Sequence, residues 1–145
     1  MSKILVPVKD FSPLSLSASY FAIELAKRTS QTKIYFLIFQ SPNPQIKDSK
    51  GRNSESNWRK QFEALIHQAL SDKMNLEIFY SAEDYVQAIA QFVKDYHIGE
   101  VIIALPSEED GLSREIRQDI QKLQGKVECR LVTVRPKEEG AAPFA

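Results

Sequence analysis

The sequence predicts an α/β fold, an open five-stranded parallel sheet in the order 3-2-1-4-5 with helices on both faces. Three observations carry this expectation. Five short apolar runs alternate with four stretches of helical periodicity, and crossovers of that length return the chain to the same end of a sheet. The first run, Lys3 to Val8, is almost continuously apolar, as expected of a central strand covered on both faces. The last run, Val127 to Val134, alternates Glu128 and Arg130 with Val127, Cys129 and Leu131, as at a sheet edge.

The elements follow in order. After strand one, Ser12 followed by Pro13 marks a helix start, since the serine hydroxyl can accept from an orphan amide and proline loses nothing at the first helical position. Leu14, Ala18, Phe21, Ala22 and Leu25 then recur at helical spacing and are assigned to its apolar face. Strand two spans Lys33 to Gln40. Ser41 to Ser56, with two prolines and a glycine, reads as a long loop made locally basic by Lys47, Lys50 and Arg52, either a solvated loop or a lid or interaction arm. Trp58, Phe62, Leu65, Ala69 and Leu70 supply the second helix, and Leu76 to Tyr80 the third strand. Tyr85, Ile89, Phe92, Val93 and Tyr96 form the third helix, with Gly99 expected as its left-handed cap before strand four, Glu100 to Leu105. Leu112, Ile116, Ile120 and Leu123 carry the fourth helix, capped at Gly125. Residues 1–136 read as one domain and 137–145 as a flexible tail.

Composition narrows the function. The 145 residues suit one ordinary core. Lys+Arg and Asp+Glu are both 19, so no global field attracts nucleic acid or an anionic membrane, and neither is expected as a partner. Cys129 is the only cysteine, which excludes an intramolecular disulfide and fits a cytoplasmic location. No run approaches the ~20 apolar residues of a membrane span.

The chemistry-bearing motifs are mostly negative. Neither Gly-x4-Gly-Lys-Ser/Thr nor Gly-x-Gly-x-x-Gly occurs, and no Gly-x-Ser-x-Gly elbow presents a nucleophile. His67 and His97 lack spaced partner ligands, so no metal site is expected. A phosphoacceptor receiver domain would need an aspartate at the end of strand three, where Tyr80 and Ser81 stand; Glu83 and Asp84 start the next helix instead. No catalytic residue is assigned, and an enzyme is not expected. In the predicted topology a ligand would lie where the strand order reverses, between strands one and four.

The block "KILVPVKDFSPLSLSASYFAIELAKR", the βα spacing and the final "ECRLVTV" resemble the universal stress protein family over residues 3–135. The resemblance implies an adenine nucleotide alpha hydrolase-like fold. It also implies a homodimer paired through the last strand, Val127–Val134, and a role for Asp10 in holding a nucleotide's sugar or metal, with Lys9 intruding just before it. Nucleotide-binding members carry Gly-x2-Gly-x9-Gly-Ser/Thr after strand four, whereas "ALPSEEDGLSREIRQDIQKLQGK" has only Gly111 and Gly125 there. Glu108, Glu109 and Asp110 crowd the place of the phosphates.

The expected function is therefore a non-catalytic, homodimeric regulatory or interaction module without ordinary ATP binding, needing no cofactor and acting on an unidentified protein partner. The alternative is an unconventional adenine-nucleotide binder, for ATP or AMP, using Asp10, Lys9, Arg114 and Arg117. In the first case Lys9 is expected to pair with Glu108 or Glu109, Arg114 with Asp110, and Arg117 with Ser113 or Gln121.

Overall fold

The computed structural model describes residues 2–29, 31–39, 52–106 and 111–135. The elements are β1 (Ser2–Val8), α1 (Pro13–Arg28), β2 (Thr32–Phe39), α2 (Arg52–Ser71), β3 (Asn75–Ser81), α3 (Tyr85–Tyr96), β4 (Glu100–Ala104), α4 (Gly111–Gln124) and β5 (Arg130–Val134). The sheet has the predicted order, β3-β2-β1-β4-β5, and every pairing is parallel.

The period of two along a strand explains the three layers. Ile4, Val6 and Val8 of β1, with Ile34, Phe36 and Ile38 of β2, pack on one face with Ala18, Ala22, Phe62 and Ile66 of α1 and α2. Leu5, Tyr35, Leu37, Val101 and Ile103 point the other way, into a core with Ile89, Phe92 and Leu123 of α3 and α4. Phe36 is fully buried and meets the Phe62 ring edge-on at 5.5 Å. Burial on both faces is why β1 reads as a continuous apolar run.

The helix faces are turned from the sequence expectation. In α1, Phe21 is 38% exposed, while Ala18, Ala22, Ala26 and Ile23 are buried. The row of alanines lets the helix approach the sheet closely. Buried Ser19 is satisfied by donating to the Ser15 carbonyl at 2.8 Å. In α2, Leu70 is 53% exposed and Ile66 takes its place beside Phe62 and Ala69. That helix begins at Arg52, inside the segment read as loop: its first residues are polar and show no apolar stripe. Lys47 and Lys50 lie outside the described residues.

One expected glycine cap is also corrected. Among the described residues no glycine has positive φ; His97 ends α3 in the left-handed region, at φ 56° and ψ 51°. Gly99 instead bridges the sheet, its amide donating to the Lys3 carbonyl at 3.0 Å and its carbonyl accepting from the Arg130 amide at 3.1 Å. After α4, the amides of Lys126 and Val127 both donate to the Leu123 carbonyl at 2.9 Å. This turn delays β5 to Arg130, three residues later than predicted. The tail, residues 137–145, lies outside the described residues. Among the described residues, no helix is long and apolar enough to cross a membrane.

Candidate functional site

β1 and β4 are neighbours, yet the helices that follow them, α1 and α4, pack on opposite faces of the sheet. Diverging connections open a crevice at the strands' carboxyl ends. A cleft of about 700 Å³ lies there, bordered by Lys9 and Asp10 after β1, by Ile103, Ala104 and Pro106 at the end of β4, and by parts of α1, α3 and α4. The predicted switch point is thus the place of the cavity.

Local chemistry shapes its rim. Ser12 caps α1, its hydroxyl accepting from the Ser15 amide at 3.4 Å, and Pro13 takes the first helical position, both as the sequence implied. The Ser15 hydroxyl donates to the Asp10 carbonyl, closing the turn. Between them Phe11 packs edge-on against Phe62 at 5.5 Å and lies under the Arg59 guanidinium at 5.2 Å. The turn is therefore anchored from the α2 side, which leaves Lys9 and Asp10 facing the cleft.

The Lys9 ammonium is held by α4 and α3. It lies 3.3 Å from the Asp119 carboxylate and 3.7 Å from that of Glu115, and 4.9 Å from the centre of the Tyr85 ring. The expected partners, Glu108 and Glu109, lie outside the described residues; the observed ones come from the body of α4. Spacing of four places Glu115 and Asp119 on the same side of the helix, opposite the end of β1. Tyr85 opens α3 immediately after its capping residue, Asp84, whose carboxylate accepts from the Gln87 amide at 3.1 Å. Its ring packs against Phe39 at 5.0 Å. Burial pushes the Tyr85 phenol well above its ordinary value, and the negative charges of Asp119 and Asp10 push it further.

Lys9 and Asp10 are brought together at the cleft; the two arginines are not among its described lining residues. Arg114 is exposed, and its expected partner Asp110 lies outside the described residues. Arg117 donates from Nε to the Ser113 hydroxyl at 3.2 Å, one of the two contacts expected for it. Sequence reasoning missed Glu115, Asp119 and Tyr85. A usable signal existed: Glu115 and Asp119 each immediately precede a residue of the apolar stripe, Ile116 and Ile120, and so stand at its border.

What remains offers little chemistry. No cluster of three or more metal-ligating side chains occurs among the described residues. His67 is exposed on α2, and His97 ends α3. Cys129 lies just before β5 rather than within it, and burial raises its thiol above the ordinary value, the opposite of an activated nucleophile.

No protein-family model matches the sequence, and no curated protein matches it. Solved structures do match. A universal stress protein from Lactobacillus plantarum aligns with a TM-score of 0.58 at 17% identity, over 92% of this chain and 97% of that one. One from Arabidopsis thaliana, solved with AMP bound, aligns with a TM-score of 0.63 at 17% identity, over 96% and 94%. One from Archaeoglobus fulgidus, in complex with dAMP, aligns with a TM-score of 0.58 at 12% identity, over 92% and 97%. The chain has the universal stress protein fold, an adenine nucleotide alpha hydrolase-like architecture.

Proposed function

We propose that this universal stress protein fold serves as a non-catalytic, cytoplasmic, homodimeric regulatory or interaction module that has lost ATP binding. One observation carries the reading: the cleft's only described ammonium, Lys9, is already held by Glu115 and Asp119, with Asp10 as a third carboxylate on the lining. One carboxylate about 6 Å from a phosphate charge costs on the order of 3 kcal/mol at an effective dielectric of about 20, before screening. Three carboxylates against one engaged ammonium oppose a triphosphate, and the glycine pattern that would cradle it is missing from the sequence.

Pairing of two chains through β5 would satisfy the backbone groups on its outer side, since among the described residues β5 stands at the sheet edge and pairs only with β4. Sedimentation as a monomer at micromolar concentration would remove the dimer from this reading.

A second reading, an adenine-nucleotide binder using Asp10, Lys9, Arg114 and Arg117, is favoured by the AMP, cAMP and dAMP complexes among structures of this fold. Calorimetric titration with ATP and Mg²⁺, together with denaturation of a separate aliquot to release any co-purified nucleotide, separates the two. No heat and no released nucleotide is the expected result; micromolar ATP binding would replace the first reading with the second.

A further inference from the structure

We propose that the outer edge of β3, together with the hollow between β3 and α2, is where this module takes a protein partner, as one added strand whose side chains are apolar toward α2 and basic toward α3. This rests on the reading of the chain as an interaction module and deepens it by naming the partner's chemistry, leaving the β5 edge to the second copy.

β3 ends the sheet and, among the described residues, pairs only with β2. Native edges are commonly blunted by shortness, lysine, proline or a bulge. None of these protects β3. It runs seven residues, Asn75–Ser81, without lysine, arginine or proline, and its register with β2 is unbroken from Lys33↔Asn75 to Phe39↔Ser81. By contrast β5 has five residues and carries Arg130. An extended chain laid along β3 would meet a row of backbone donors and acceptors, the mode by which a sheet edge takes a peptide.

The period of two divides what such a strand would touch. Leu76, Ile78 and Tyr80 face α2, and Glu77 and Phe79 face α3. On the α2 side the hollow, about 170 Å³, is lined by Phe62, Ile66, Leu70, Ile78 and Tyr80. It falls short of the ~300–1,000 Å³ of small-molecule sites, which suits it to single side chains rather than a free ligand. Leu70 and Tyr80 line it while more than half exposed. Arg59 and Glu63 beside them are paired with each other at 3.3 Å, so this side favours an apolar residue.

The chemistry on the α3 side is different. Residues 75–84 carry Glu77, Glu83 and Asp84 and no lysine or arginine. Glu77 is half exposed; Lys33 reaches it at 2.7 Å from β2, but a carboxylate has about four acceptor positions and one ammonium leaves some of them open. A lysine or arginine of the added strand, set beside Glu77, completes an opposite-charge pair across the strands.

The probe is a fluorescein-labelled nine-residue peptide alternating isoleucine with lysine, titrated with the full chain at about 0.1 M salt and read by fluorescence anisotropy. The peptide should bind. N-methylation of every second amide should weaken binding about tenfold or more in one phase and little in the other, and shuffling the same residues out of alternation should also weaken it about tenfold. Glu77→Gln should weaken it about threefold. Leu70→Ser, at an exposed side chain, should do the same from the α2 side.

No binding up to about 1 mM peptide, equal binding of the shuffled peptide, or an affinity unchanged in both variants would overturn the proposal. A change in the protein's own sedimentation on Tyr80→Lys would assign the edge to a second copy instead. Each of these results leaves the loss of ATP binding intact, whereas micromolar ATP binding would overturn the underlying reading.

Discussion

Lys9→Met exchanges an ammonium for an apolar end of similar reach, and its cost can be worked from the contacts. At 3.3 Å from Asp119 the bare attraction is about 5 kcal/mol at an effective dielectric of about 20. The Lys9 side chain is 45% exposed, however, and pairs so placed are screened to about 1 kcal/mol or less. The Glu115 contact is longer, at 3.7 Å, and its carboxylate more exposed, so it adds little. The ammonium over Tyr85 adds about 0.5–1 kcal/mol. Lys9→Met should therefore destabilise the protein by about 1–2 kcal/mol. Urea unfolding of the wild type, Lys9→Met, Asp119→Asn and the double variant isolates the pair, and the coupling should be about 1 kcal/mol at ~0.1 M salt. In ~1 M salt the Debye length shrinks to about 3 Å and the coupling should fall by half or more. Additivity within about 0.3 kcal/mol at low salt would refute the reasoning, because Lys9 would then not be held in the cleft.

Two further outcomes follow from the geometry. Because the Tyr85 phenol is held above its ordinary value, stability from this group is fully present below pH ~10. Above that the unfolded phenol ionises while the native one keeps its proton, so each further pH unit should cost about 1.4 kcal/mol until the native phenol also ionises. Tyr85→Phe should lack this component, and parallel pH–stability curves for the two proteins between pH 8 and 11 would contradict it. His97→Gly places the residue best suited to positive φ at the α3 cap and should raise the urea-unfolding free energy by about 0.5 kcal/mol; a loss would mean that the imidazole stabilises the helix end.

The topology was legible because its signals are local. Apolar runs and helical stretches alternate, Ser12 and Pro13 start a helix by their own chemistry, and a strand buried on both faces must be apolar throughout. The helix faces were less legible. An amphipathic stripe is about 100° wide or more, and the sheet chooses within it, which is how Ile23 came inside and Phe21 stayed out. Gly99 looked like a cap in sequence, but its backbone serves the sheet between Lys3 and Arg130, and the left-handed position falls to His97.

From its periodicity and the rules of parallel connection, the sequence specified the layered α/β fold and the end of the sheet at which a cleft opens, but not the strand order, since doubly wound sheets occur in more than one order. It also determined that the glycine pattern for a phosphate cradle is missing. The cleft's charge is set by tertiary packing. Lys9 meets an aspartate 110 positions away, and that meeting depends on how α4 packs on the sheet, a long-range outcome of core shape that no local pattern encodes.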